Sequence, residues 1–513
     1  VPTAAGQANK WLITITVMTG TIMAALDLSI VNVALPYMRG SLSASVEEIT
    51  WVATGYTLSN VIVMPLIAFL SGRFGRKRFY MFSVLLFTGA SMACGMAKTL
   101  STMILFRAVQ GVGGGALIPV SQAILRETFP EEQQGTAMGI YGLGVILGPA
   151  IGPTLGGWLT DRYSWPWIFY VNVPIGIVNL LLVSRFIQDP PYLVRQKGKV
   201  DVLGIGLLAV GLGSLQIMLE KGEQKDWFTS QYIMDLAGVA AVGLLLFVLR
   251  ELMTKRPAVD LRILKDPTFT AGTMIGGIFG TALFGTLFLM PLLLEQLLGY
   301  PAFDAGLTLM PRSLAMAATM PIVGRIYDKT GPRALVFFGL LVSAFTYWKL
   351  SRLSLDIGFW DIVFPLAMQG VGFGSIFVPL TTVALTNIEK PKMQAATGLY
   401  NVVRLVCGSI GIALATTLLD RGSATAQSGI ITTLITPFRD VTLEFQDFLT
   451  QAMIANGSDP YTAQAQALEI LNREIGRQSM IISFNRIFFL VAVLFMLCLP
   501  LILLLKSVKV RDN

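Results

Sequence analysis

A chain of 513 residues that is 54% hydrophobic and only 13% charged lies far from the roughly one-quarter charged composition of soluble chains, and its mean hydropathy of +0.67 points to an integral membrane protein. Cys94, Cys407 and Cys498 all sit in apolar runs, which excludes a disulfide framework and offers no metal-ligand spacing. With no histidine in the chain, any proton it carries must ride on a carboxylate or on water steered by one.

A bilayer-spanning helix needs about 20 mainly apolar residues. Fourteen such runs follow one another, roughly at 11–35, 50–70, 79–97, 102–126, 135–160, 166–187, 201–220, 232–251, 269–296, 304–325, 333–352, 359–386, 395–419 and 480–505. The first run is too long for a signal peptide and lacks a small-residue cleavage pattern, so it reads as a retained first helix. Lys and Arg in the connections set orientation. With the N-terminus inside, 23 basic residues fall on the inner side, among them Arg73, Arg76, Lys77, Arg78, Arg195, Lys197, Lys199, Lys506 and Arg511, against 7 in the short outer loops and helix ends. This asymmetry predicts a multi-pass protein with both termini cytoplasmic. It also disposes of nucleic acid as the reason for the net charge of +8, because the basic residues are spread over many loops.

The chain repeats itself. Residues 65–77 match 321–333 at an offset of 256, and Gln110-Gly-Val-Gly113 matches Gln369-Gly-Val-Gly372 at an offset of 259, as Gly139-Ile-Tyr141 matches Gly398-Leu-Tyr400. Three markers in one order predict two six-helix bundles, 1–195 and 261–513, with two inserted helices in 196–260. Internal repeats of this kind are a transporter signature, with the substrate site at the repeat interface. One long connection, 420–479, is polar. Asp459-Pro460 reads as an N-cap followed by proline at the first helical position, and Leu468, Leu471 and Ile475 recur at helical spacing, so the segment is either a solvated outer loop or a partner-docking helix.

Within the fifth span, Gly144, Gly148, Gly152 and Gly156 recur every fourth residue on one face, with Gly157, Pro149 and Pro153 among them. A stripe of small residues lets another helix approach to backbone contact. The expectation is a dry sliding face where the two halves shear.

A charge at the bilayer centre costs roughly 2.5–3.5 kcal/mol on insertion scales and asks for a reason. Asp27 is the acid well inside a span of the first half, either a proton carrier or a structural acid bonded to backbone. Arg107 shares a helical face with Gly111 and Gly114, where it tunes that acid or, alternatively, snorkels to the outer interface; its repeat counterpart is Leu366. Tyr400, Asn401 and Arg404 form a polar stripe able to bind substrate, water or another helix. Asn32, Gln110 and Gln369 are taken as further polar groups of a substrate cavity. Glu295, near the outer end of its span, is interfacial or a second acid that attracts a cationic compound, and Arg312 lies in an apolar segment of the second half.

Fourteen spans in two halves, with Gly72-Arg-Phe-Gly75-Arg76-Lys77 after the second, resemble the major facilitator superfamily. Leu26-Asp27-Leu-Ser-Ile-Val-Asn32-Val-Ala-Leu-Pro36, Trp165-Pro-Trp-Ile-Phe-Tyr-Val-Asn172-Val-Pro174-Ile-Gly176, the glycine-proline stretch 144–157 and the segment 213–228 resemble its fourteen-helix drug:proton antiporters. The resemblance implies the major facilitator fold and proton-driven export of hydrophobic and amphipathic drug-like compounds across a bacterial inner membrane. It assigns Arg107 to proton coupling, and Gly75, Arg76, Asp328 and Gly331 to the conformational loop motifs. It further implies a periplasmic membrane-fusion adaptor (EmrA-like) and an outer-membrane channel (TolC-like) as partners, with no cofactor. Ala68 and Gly72 depart from the family's usual Gly and Asp; the acidic position survives in the second copy as Asp328.

No nucleotide-binding loop, metal cluster or nucleophile–base pair is readable, so the chain is expected to be a transporter rather than an enzyme. A facilitator or symporter for another small molecule, and a membrane-embedded assembly or receptor subunit, stand as alternatives.

Overall fold

The computed structural model describes residues 9–190, 201–254, 257–433 and 440–505. Every predicted span falls on a helix, and the described residues contain no strand. In chain order these are α1 (Lys10–Ser41), α2 (Glu47–Phe74), α3 (Arg76–Gly95), α4 (Leu100–Thr128), α5 (Gln134–Arg162), α6 (Trp167–Phe186), α7 (Val202–Lys221), α8 (Gln231–Met253), α9 (Pro267–Leu297), α10 (Ala302–Thr330), α11 (Pro332–Leu350), α12 (Phe359–Ala384), α13 (Met393–Thr433), α14 (Asp440–Ala455) and α15 (Pro460–Leu497). Among the described residues, twelve helices are long and apolar enough to cross a membrane. Large apolar side chains such as Leu181, Val242 and Leu245 stand exposed on them, as expected where lipid rather than water is the solvent. The boundary expected near 195, Lys197, Lys199 and both chain ends lie outside the described residues.

Packing follows the sequence repeat. In the first half α1 lies on α5, α2 and α3 on α4, and α3 on α6; in the second, α9 lies on α13, α10 and α11 on α12, and α11 on α15. The inserted α7 and α8 pair with each other, and α7 touches both α2 and α13. Lys221 Nζ donates to Thr50 Oγ1 (2.7 Å) and Gln216 Nε2 to Ser409 Oγ (2.9 Å), tying α7 to each half. The turns after α2 and α10 are made by Gly75 and Gly331, with φ of +88° and +78°, a region that only glycine enters without strain. Each turn reverses the chain in a single residue. We call the side carrying them the basic side.

The polar connection 420–479 is mostly helical over its described residues, broken by a turn at 456–459. α13 runs for 41 residues, about 61 Å at ~1.5 Å per residue, against a hydrocarbon core of about 30 Å. α15 packs along α13 and α14 along α15, with Gln427 Nε2 donating to Asn472 Oδ1 at 3.3 Å. Asp459 caps α15 by accepting from the Tyr461 and Thr462 amides at 3.1 and 3.2 Å, and the Thr462 contacts hold its carboxyl below the ordinary range. Polar residues are placed here because this part of each helix has left the apolar phase.

Candidate functional site

Asp27 sits in the middle of α1 with no exposed surface. Its carboxylate accepts from Arg107 Nη1 at 2.7 Å, Gln110 Nε2 at 2.8 Å and Asn172 Nδ2 at 3.0 Å. Arg107 in turn donates from Nε to the Val52 carbonyl at 3.0 Å and from Nη1 to Gln110 Oε1 at 2.8 Å, while its guanidinium lies 4.3 Å from the Tyr56 ring centre. Asn172 also donates to Ser91 Oγ at 3.1 Å, and Ser91 to the Phe169 carbonyl at 2.9 Å. Five helices, α1, α2, α3, α4 and α6, converge on one carboxylate.

The local sequence explains the convergence. Arg107, Gln110, Gly111 and Gly114 share one face of α4, and a Cβ at Gly111 or Gly114 would collide with the Tyr56 backbone or hydroxyl. The glycines therefore bring α2 close enough for Val52 and Tyr56 to flank the guanidinium. Arg107 is 1% exposed, so it turns inward and does not reach the interface. The pair is formally neutral, and removing one member of such a buried pair costs about 3–5 kcal/mol. A change in Asp27 protonation thus acts on the packing of five helices at once.

The glycine stripe of α5 corrects the sequence reading. Gly144, Gly148, Gly152 and Gly156 face α1 of the same half: a Cβ on them would strike Met18, the Ala25 backbone, Ser29 and Ile30. Ser29 Oγ donates to the Gly148 carbonyl at 3.0 Å. Pro149 and Pro153 stand off this face, half-buried and exposed, and Gly157 meets only Val33. The stripe holds the helix that carries Asp27; the halves meet elsewhere. A four-residue spacing fixes a face but not the neighbour that uses it.

The halves meet on the basic side. Gly135 and Gly139 of α5 lie against Gly324 and Met320 of α10, and Gly398 of α13 against Met64 of α2. Ser71 bonds Gln394, Arg126 Nη2 donates to Thr386 Oγ1 at 3.3 Å, and Asn401 Nδ2 donates to Gln122 Oε1 at 2.7 Å. Tyr141 and Phe377 stack across the seam at 6.3 Å.

The stripe Tyr400, Asn401 and Arg404 is brought to this seam. Arg404 Nη2 donates to Asn401 Oδ1 at 2.9 Å, and its guanidinium lies 5.3 Å from the Phe377 ring. Tyr400 is buried against Gly276. Gln110, expected in the cavity, belongs to the Asp27 cluster. Gln369 is fully buried away from that cluster, in α12. Asn32 and Glu295 are exposed, the latter in a π turn over Leu292–Leu297. Arg76 makes a two-pronged ion pair with Glu127, at 2.7 and 2.9 Å. The Asp328 side chain lies outside the described residues.

Asn172, Ser91, Glu127, Gln122 and Tyr141 were not singled out as site residues from the sequence. Asn172 had a visible signal, an amide inside the quoted segment around Trp165. The others are ordinary polar residues whose partners only the fold supplies.

An all-helical, multi-pass chain with repeated packing and a charge pair sealed inside one bundle defines a membrane transporter. The chain belongs to the Major Facilitator Superfamily, whose family model matches residues 17–412. It is 34% identical over 505 residues to the fatty acid resistance protein FarB of Neisseria gonorrhoeae, covering 98% of this chain and 97% of that one. It is also 34% identical over 496 residues to the multidrug export protein EmrB of Escherichia coli K12, covering 96% and 95%. Among solved structures, the human organic anion transporter MFSD10 superposes with a TM-score of 0.58 over 95% of this chain and 100% of that one, at 12% identity. The two bacterial relatives show the family; MFSD10 shows the fold.

Proposed function

We propose that the chain is a proton-driven antiporter that exports hydrophobic and amphipathic compounds, with Asp27 as the proton carrier and Arg107 as its counter-charge. The observation that carries this reading is the sealed Asp27–Arg107–Gln110–Asn172 cluster in a chain without histidine. When Asp27 takes a proton, Arg107 loses its counter-charge and α4 is released from α1. Asn172 serves both protonation states. Its amide donates to the carboxylate, and after a flip its Oδ1, which has no partner here, accepts from the protonated acid.

Two bundles, 1–195 and 261–513, rock about the seam, which is closed on the basic side in this arrangement. Arg404, Asn401, Gln122 and Tyr141 line the polar part of the substrate path. The basic side is taken as cytoplasmic, in an inner membrane. The multidrug export named for EmrB and the fatty acid resistance named for FarB support export over import.

Dye efflux from proteoliposomes under an imposed proton gradient tests this reading. The expected result is export that vanishes when the gradient is collapsed. Gradient-driven uptake would instead indicate a symporter, and absence of flux an assembly subunit.

The protrusion built by the end of α13, α14 and the start of α15 is proposed to dock the periplasmic adaptor of a tripartite pump that ends in an outer-membrane channel. It exposes Leu443, Phe448, Tyr461 and Leu468 to solvent, and exposed apolar groups outside the lipid mark contact surfaces. Deleting 440–475 should spare efflux in liposomes and weaken adaptor co-purification. Adaptor recovery equal to that of the intact chain would rule the docking out.

A further inference from the structure

The second bundle holds a charge centre that is incomplete. Arg312 of α10 is 5% exposed and Gln369 of α12 has no exposed surface. Arg312 Nη1 and both polar atoms of the Gln369 amide are buried without a hydrogen-bond partner, and no acid among the described residues pairs with Arg312. A guanidinium stays charged in any protein environment, and a buried charge without a partner is disfavoured.

The same close helix approach that builds the Asp27 cluster brings the backbones carrying these two residues together. In the first bundle the Tyr56 carbonyl abuts Gly111, the residue after Gln110; in the second the Arg312 carbonyl abuts Gly370, the residue after Gln369. Arg312 therefore occupies the place of Tyr56, and Leu366 that of Arg107. The first bundle has cation, amide and acid. The second keeps a cation and an amide and lacks the acid. Tyr347 lies close enough to interact electrostatically with Arg312, but its hydroxyl is committed to Thr286 and the Ala282 carbonyl. One turn beyond Gln369, Phe373 packs with Phe279 (5.0 Å), Tyr347 (6.4 Å) and Phe495 (6.2 Å), which gives the centre an apolar wall.

We propose that Arg312 and Gln369 form a binding site for a monoanionic group, which supplies the charge and the acceptors that the second bundle lacks. An anionic oxygen or halide accepts from Arg312 Nη1 and Gln369 Nε2, and the apolar wall suits the chain of an amphipathic carboxylate. The group comes either from a carboxylate-bearing substrate, an arm that rests on the proposed export of amphipathic compounds, or from a free inorganic anion, an arm that does not.

Thermal unfolding of the purified full chain in a sulfate buffer tests the site without any flux or gradient, so its outcome is separate from that of the transport assay. The probes are decanoate, chloride, and decyltrimethylammonium as the cationic control. Decanoate alone raising the melting temperature by a few degrees places a substrate carboxylate in the site, and chloride raising it places a free anion there. The shift should be lost in Arg312→Met and about tenfold weaker in affinity in Gln369→Leu, as expected for loss of one charge-assisted hydrogen bond. Without probe, Arg312→Met should melt at or above the wild type, because an uncompensated buried charge has been removed. If neither anion shifts the wild type, if Arg312→Met responds equally, or if it melts lower without probe, the site does not exist.

Discussion

Asp27→Asn should reduce gradient-driven export to the level of empty liposomes while drug binding in detergent stays measurable. The substitution keeps the shape of the side chain and its acceptor oxygen but removes the titrating group. Arg107 would then hold its bonds to the Val52 carbonyl and Gln110 Oε1 with no counter-charge in its cluster. Stranding one member of a buried pair costs about 3–5 kcal/mol, so the variant should also unfold at lower temperature. The two effects can be separated. Asp27→Asn combined with Arg107→Gln removes both charges and should recover thermal stability without recovering export. Wild-type export by either variant would remove Asp27 from the mechanism.

The second large effect is expected from Gly148→Leu. A Cβ at this position already overlaps the Ala25 backbone, so the three further heavy atoms of leucine cannot be fitted without pushing α1 off α5. Overpacking a tight core contact costs about 1–3 kcal/mol even where side chains can give, and here the obstacle is main chain. α1 carries Asp27 two residues beyond Ala25, so its displacement breaks the carboxylate's three bonds as well. The expected outcome is loss of folded, monodisperse protein in detergent, or folded protein without export. Gly157→Leu is the control. Its surroundings are open apart from Val33, and it should fold and export normally. Equal tolerance of both substitutions would show that the stripe is not the contact that holds α1.

Much of the fold was legible because the bilayer imposes simple rules. Long apolar runs mark where the helices fall, and the repeats around Pro65/Pro321 and Gln110/Gln369 point to two related halves. Asp27 and Arg107 stood out because a charge in an apolar run needs a reason. Their mutual bond was not legible, since residues 80 positions apart meet only through the fold, and Asn172 and Ser91 carry no charge to draw attention. The spacing of the glycine stripe marks a close-contact face but not the neighbour behind it, because α5 presents different glycines to α1 and to α10. Gly135 and Gly139, nearer its start, make the contact between halves. For the segment 420–479 loop and helix both fit the sequence because, outside lipid, polar composition no longer separates the two; only the Asp459-Pro460 start and the spacing of Leu468, Leu471 and Ile475 point to helix. Arg312 was visible as a charge in an apolar segment, but its lack of a partner is a property of three dimensions alone.

The central claim is that one carboxylate carries the proton that export exchanges for cargo. The most direct test is proton release on drug binding, followed with a pH indicator in weakly buffered detergent solution, for the wild type and Asp27→Asn at equal drug occupancy. The account predicts protons released in proportion to bound drug by the wild type and none by Asp27→Asn. Equal release by the two, or none by either, would contradict it.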